Sequence, residues 1–67
     1  MTWEELCEKS KEMGYVLEGY NKKALYQYEP IETGLYFHEC GKITYGGKVI
    51  IENRTTDQLY QIMEALQ

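Results

Sequence analysis

The stretch Leu35-Tyr36-Phe37-His38-Glu39-Cys40-Gly41-Lys42-Ile43-Thr44-Tyr45-Gly46-Gly47-Lys48-Val49-Ile50-Ile51-Glu52 decides the fold. Apolar or aromatic side chains alternate with polar ones along much of it. Two glycine-bearing turns, Cys40-Gly41 and Gly46-Gly47, interrupt it. A period of two marks a strand with one buried face. A Gly-Gly pair between two β-rich runs marks a tight hairpin, because both central residues of the favoured turn need positive φ. The stretch therefore predicts strands over Leu35–Glu39, Lys42–Tyr45 and Lys48–Glu52. Alternation puts Leu35 and Phe37 on one face of the first, and Tyr36, His38 and Cys40 on the other. Ile43 shares a face with Tyr45, and Val49 with Ile51, and these apolar sets are expected under the helices.

Upstream, Pro30 ends a β-rich run over Ala24–Glu29, because proline cannot donate to a sheet ladder. The polar turn Asn21-Lys22-Lys23 separates that run from Tyr15–Tyr20, whose place in the ladder stays open. Tyr26 and Tyr28 point the same way, but sequence alone leaves open which way. Turns this short imply antiparallel neighbours.

Helices bracket the strands. Thr2 and Glu5 form a capping box, and Trp3, Leu6, Cys7, Ser10 and Met13 recur at helical spacing before Gly14. This predicts a helix over about 3–13. Glu4, Glu8 and Glu12 line its outer face, and Glu5 and Lys9 make a favourable pair four apart. A second capping box, Thr55 and Gln58, precedes Leu59, Ile62, Met63 and Leu66 at i, i+3, i+4 and i+7, predicting an amphipathic helix over about 56–66. The expected fold is two-layer α+β: one domain, residues 1–67, with an antiparallel meander of three to five strands and both helices on one face (α-β-β-β-β-α).

Composition bounds function. The chain has 67 residues, 11 of them acidic and 7 basic, for a net charge of −4. That balance argues against direct nucleic-acid or anionic-membrane binding, which rests on Lys and Arg. No run approaches the roughly 18 apolar residues of a membrane span. Met1 leads into a polar, acidic stretch rather than the basic start and apolar block of an export signal. A cytoplasmic protein is expected, with Cys7 and Cys40 as free thiols.

His38 and Cys40 are zinc-ligand types two apart on a strand, but a closed site needs four ligands. Cys7, the only other strong donor, belongs under the first helix, so no metal site and no cofactor are expected. One histidine, no Gly-rich phosphate loop and no nucleophile motif predict no catalytic residues and no enzyme. Seven tyrosines are the most unusual feature. Tyrosine serves a small sheet as a strand former, and it also supplies rigid area with a polar tip at protein interfaces. An uncovered face bearing Tyr26, Tyr36 and His38, with Tyr20 as a further candidate, makes one candidate contact surface for a protein partner or a homodimer. The Glu4/Glu8/Glu12 stripe makes a second, suited to a basic partner.

The stretch Glu52-Asn53-Arg54-Thr55-Thr56-Asp57-Gln58-Leu59-Tyr60, with the acidity, the tyrosine content and the helix–meander–helix order, resembles small acidic proteins of phages and other mobile elements in low-GC Gram-positive bacteria. Anti-CRISPR proteins are similar in size and charge. The resemblance implies a stoichiometric inhibitor that docks on a basic surface of a nucleic-acid-processing host protein such as a CRISPR nuclease. The order is also similar to that of double-stranded-RNA-binding domains. The last helix departs from them, because it starts Thr55-Thr56-Asp57-Gln58 without a lysine cluster. The alternative expectation is a small self-associating structural domain with a Tyr-rich homodimer face.

Overall fold

Thr2 opens the first helix by the reciprocal bonds its spacing implies. Its hydroxyl accepts from the Glu5 N–H at 3.1 Å, and the Glu5 carboxylate accepts from the Thr2 N–H at 3.2 Å. The computed structural model describes all residues from Met1 to Gln67. Helix α1 spans Trp3–Ser10, shorter than the expected 3–13, because Lys11–Met13 tightens into a 3₁₀ turn before Gly14 stops it at φ 84°. Strands β1 (Tyr15–Leu17), β2 (Ala24–Gln27), β3 (Leu35–His38), β4 (Ile43–Tyr45) and β5 (Lys48–Ile51) follow, and helix α2 spans Thr56–Ala65 behind its own capping box. The strands form one antiparallel sheet in sequence order. Gly46 and Gly47, both at positive φ, make the β4–β5 hairpin turn. The run Tyr15–Tyr20 joins the ladder only through Leu17. Beyond it the chain turns, and Tyr20 stands fully in solvent.

The core lies between the helices and one face of the sheet. Trp3 and Leu6 of α1 and Leu59 and Met63 of α2 pack on Tyr15, Leu25, Phe37 and Ile43. Register explains the set: Phe37 stands opposite Leu25 on one side and Ile43 on the other, so all three share a face. Tyr15 meets Phe37 edge to face, with ring centroids 5.5 Å apart. Trp3 donates from Nε1 to the Lys22 carbonyl at 3.2 Å, tying the start of α1 to the β1–β2 turn. Buried Gln27 donates to the Met13 and Glu29 carbonyls at 3.2 and 3.4 Å, bridging the 3₁₀ turn to the end of β2.

Some side-chain placements differ from expectation. Tyr45 shares the face of Ile43 but is exposed, beyond the cover of the helices. Val49 and Ile51 do not share a face. Ile51 opposes Ile43, but Val49 opposes Thr44, so Ile50 is an extra residue that bulges from β5. The two-residue turn sets Val49 opposite Thr44 on the uncovered face, and the bulge then turns Ile51 toward the core. Glu5 and Lys9 form no ion pair: the Glu5 carboxylate is engaged at Thr2, and the Lys9 ammonium lies 5.6 Å from the centre of the Tyr60 ring.

Tyr15 is fully buried and its hydroxyl has no hydrogen-bond partner. A buried hydroxyl without a partner costs about 1–3 kcal/mol in lost hydration. Tyr15→Phe keeps the ring against Phe37 and removes that cost. It is expected to raise the unfolding free energy by about 1 kcal/mol in urea titration. A loss of similar size would show that the hydroxyl is satisfied in solution.

Candidate functional site

The face of the sheet away from the helices carries one row that crosses every strand. Val16 opposes Tyr26, Tyr26 opposes Tyr36, Tyr36 opposes Thr44, and Thr44 opposes Val49. Directly opposed residues of antiparallel strands project to the same side. Tyr26 and Tyr36 stack with ring centroids 5.4 Å apart and planes 29° from parallel. His38, two residues along β3, lies 6.5 Å from the Tyr36 ring. Its Nε2 is 2.9 Å from the Thr44 hydroxyl, which fixes the imidazole beside the row. The expected trio Tyr26, Tyr36 and His38 is thus one surface. The two tyrosines are half-buried, each covering part of one face of the other.

Tyr28 does not belong to it. It lies past the end of β2 and its N–H donates to the Gly14 carbonyl at 2.8 Å. Cys40 falls in the turn after β3, exposed, and does not share a strand face with His38. Cys7 is half-buried on α1, and burial, with the Glu4 charge next, pushes its thiol pKa up. A protonated thiol is a poor nucleophile and a poor metal ligand. No group of three or more His, Cys, Asp or Glu side chains comes together to hold a metal. No helix is long and apolar enough to cross a membrane.

The acidic stripe is placed elsewhere. Glu4 and Glu8 project from α1, in the helical layer, and Glu8 is held by the Lys11 ammonium at 3.1 Å. Glu12 sits in the 3₁₀ turn, where the rotation per residue is about 120° instead of 100°. The three carboxylates therefore do not form one regular stripe, and they share no surface with the aromatic row. Glu4 and Glu8 also flank a depression that contains Lys22 and Lys23, which offset part of their charge.

A separate cleft of about 440 Å³ opens between α1 and β1, lined chiefly by Cys7, Lys11, Tyr15, Leu17, Leu25 and Tyr28. No sequence pattern signalled it, because it depends on how far α1 sits from the sheet edge. Alternation alone groups Val49 with Ile51, and the bulge at Ile50 separates them, leaving Val49 on the open face opposite Thr44.

His38 carries the one pH-sensitive charge on the aromatic face. Burial pushes its pKa down, the Lys42 charge adds to this, and Glu18 opposes it. The folded value is below that of a free histidine, about 6.5. Protons then bind the unfolded chain more readily, so this contribution to stability is present above about 6.5 and is lost as pH falls from there through the folded value. Wild-type protein is expected to lose stability between pH 7 and pH 5.5, and His38→Gln to lose less over the same interval. Parallel denaturant midpoints for the two would remove His38 as the cause.

No family model, no curated protein and no solved structure matches this chain. What defines its class is the fold, a five-stranded antiparallel meander with both helices on one side, and the aromatic row on the other.

Proposed function

We propose that this protein is a non-enzymatic, cytoplasmic protein-binding module that docks on another protein through its uncovered sheet face. One observation carries the reading: a continuous Val16–Tyr26–Tyr36–Thr44–Val49 row, with two stacked tyrosines and a fixed histidine, on a face that no helix covers. Rigid aromatic side chains lose little conformational freedom on binding and dominate interface energetics. The net charge of −4 favours a partner with a basic surface. The sharpest form is a phage or mobile-element inhibitor that occupies such a surface on a nucleic-acid-processing host protein, for example a CRISPR nuclease.

The acidic residues of α1 contribute little in this reading. At physiological salt the screening length is about 8 Å, and the molecule is 26–27 Å across. A partner on the sheet face lies beyond effective reach of Glu4 and Glu8.

The test is affinity capture from bacterial lysate supplemented with defence nucleases, using immobilised wild-type protein, Tyr36→Ala and Glu4→Lys/Glu8→Lys. The expected result is a basic nucleic-acid-processing protein held by wild type and by the charge reversal, lost with Tyr36→Ala and released by salt. Capture unchanged by Tyr36→Ala would refute the sheet face as the docking surface. Recovery of nothing but the protein itself would favour the self-associating domain.

A further inference from the structure

The sheet has two edges, β1 and β5, and they are built differently. β5 starts with Lys48 and carries the bulge at Ile50. A lysine and a bulge are two devices by which proteins keep an edge from pairing. β1 has neither, and its Val16 and Leu17 are 39% and 38% exposed. The ladder fixes which backbone groups remain free. The Tyr28 N–H donates to the Gly14 carbonyl at 2.8 Å and the Glu18 N–H to the Ala24 carbonyl at 2.9 Å. Val16 faces Tyr26 between them, so the Gly14 carbonyl and the polar groups of Val16 and Glu18 turn toward β2, while the Gly14 N–H donates to the Lys11 carbonyl. The N–H and C=O of Tyr15 and Leu17 therefore point out of the sheet, along the cleft between α1 and β1.

We infer that β1 is a homotypic edge: a second copy of this chain pairs with it antiparallel, about a two-fold axis at Val16. Tyr15 of one copy then stands opposite Leu17 of the other. The two exchange both of their outward N–H···O bonds, and the symmetry repeats the pair. Each half-exposed Leu17 lies beside the Tyr15 of the second copy, at the mouth of its cleft.

Charge argues for a second copy over an arbitrary strand. An antiparallel match carries the Lys22–Lys23 turn of one copy, with Glu18 at its start, toward the end of β1 where the other has Glu12 and Glu29, with Lys11 beside them. These side chains are all exposed, and the symmetry makes the contact twice. Paired Val16 residues join the two rows of the uncovered faces into one across the dimer. The pairing shares only Val16 with the aromatic row, and its tests read the β1 edge rather than partner capture, so its failure and that of the proposed function are distinguishable. A three-residue edge buries little surface, and interfaces below about 1,000 Å² are weak. The expected state is a concentration-dependent dimer.

Sedimentation equilibrium and amide hydrogen exchange by NMR, both from micromolar to millimolar protein, test it. The mass should rise toward twice the monomer. The Tyr15 and Leu17 amides should exchange more slowly as concentration rises, while the Val16 amide, bonded within the sheet, stays protected throughout. Leu17→Pro removes an outward donor without touching the β1–β2 ladder. It should weaken self-association by about tenfold or more. Leu17→Lys does so by placing a charge on the edge, and it serves if the proline variant fails to fold. Ile50→Lys on the opposite edge should leave the dimer intact. A monomer at every concentration overturns the inference. So does a dimer that forms without slowing Tyr15 and Leu17 exchange, or one that Leu17→Lys leaves unchanged.

Discussion

The Tyr26→Ala/Tyr36→Ala double variant is expected to bind the partner at least a hundredfold more weakly than wild type. A tyrosine at an interface hot spot is worth about 2 kcal/mol or more when truncated, roughly a thirtyfold loss in affinity. Two independent losses would multiply to about a thousandfold. These two are not independent, because their rings stack at 5.4 Å. Removing either frees the other to reorient, so part of the second loss is already incurred with the first. The double variant should therefore fall short of the product of the singles, with a coupling of about 0.5–3 kcal/mol in a double-mutant cycle. Titration calorimetry on the captured partner measures it. Tyr20→Ala is the control: that side chain is fully exposed in the β1–β2 turn and away from the row, so affinity should be unchanged. Additive losses at Tyr26 and Tyr36 would mean that the pair does not act as one surface. Losses below about threefold would mean that the row is not the contact.

Gly14→Ala is expected to remove most of the protein's stability, whereas Gly46→Ala is expected to leave it folded. Both glycines have positive φ, 84° and 59°. An alanine held there costs about 1–2 kcal/mol at either position. The surroundings separate them. A Cβ on Gly46 meets open space, while a Cβ on Gly14 falls on the carbonyl of Glu29. That neighbour is backbone and cannot swing aside. Moving it also stretches the bonds by which the Tyr28 and Glu29 N–H groups reach the Gly14 carbonyl, at 2.8 and 3.2 Å. At about 1 kcal/mol for each bond, the total loss is about 3–4 kcal/mol. A core of this size supplies no more than roughly 3–5 kcal/mol of net stability. Circular dichroism with urea titration of the two variants checks it. Equal losses would show that the Glu29 segment yields without cost.

The placement of Gly14 shows how far local chemistry reaches. That a glycine must stop the first helix is legible from Met13-Gly14-Tyr15. That alanine is excluded by a carbonyl of Glu29, far along the chain, is visible only once β1 and β2 are paired. The first helix shows the same limit. Its capping box is a matter of residues three apart and forms as expected. Its last turn tightens to 3₁₀, and Gln27, arriving from β2, holds the Met13 carbonyl there.

The candidate site divides in the same way. Tyr36 and His38 on one side of β3 follow from alternation alone, since neighbours two apart on a strand cannot avoid sharing a face. That Tyr26 joins them required the β2–β3 register, which pairs it with Tyr36. That Val49 joins them follows from the Gly46-Gly47 turn, which sets it opposite Thr44, whereas the turn of Ile51 to the core required a bulge, which leaves no trace in the pattern of apolar residues.

By itself the sequence determined the order of elements, both capping boxes, the Gly46-Gly47 hairpin and the buried side of Phe37. Each depends on residues close in the chain, whose dihedral preferences and periodicity act before any distant contact forms. Only the tertiary structure decided the register that builds the aromatic row, the bulge that turns Ile51 to the core, the separation of Glu4 and Glu8 from that row, and the cleft along the open edge of β1. Each of these depends on where one element sits against another, which is set by packing around Phe37 and Leu6 rather than by local preference.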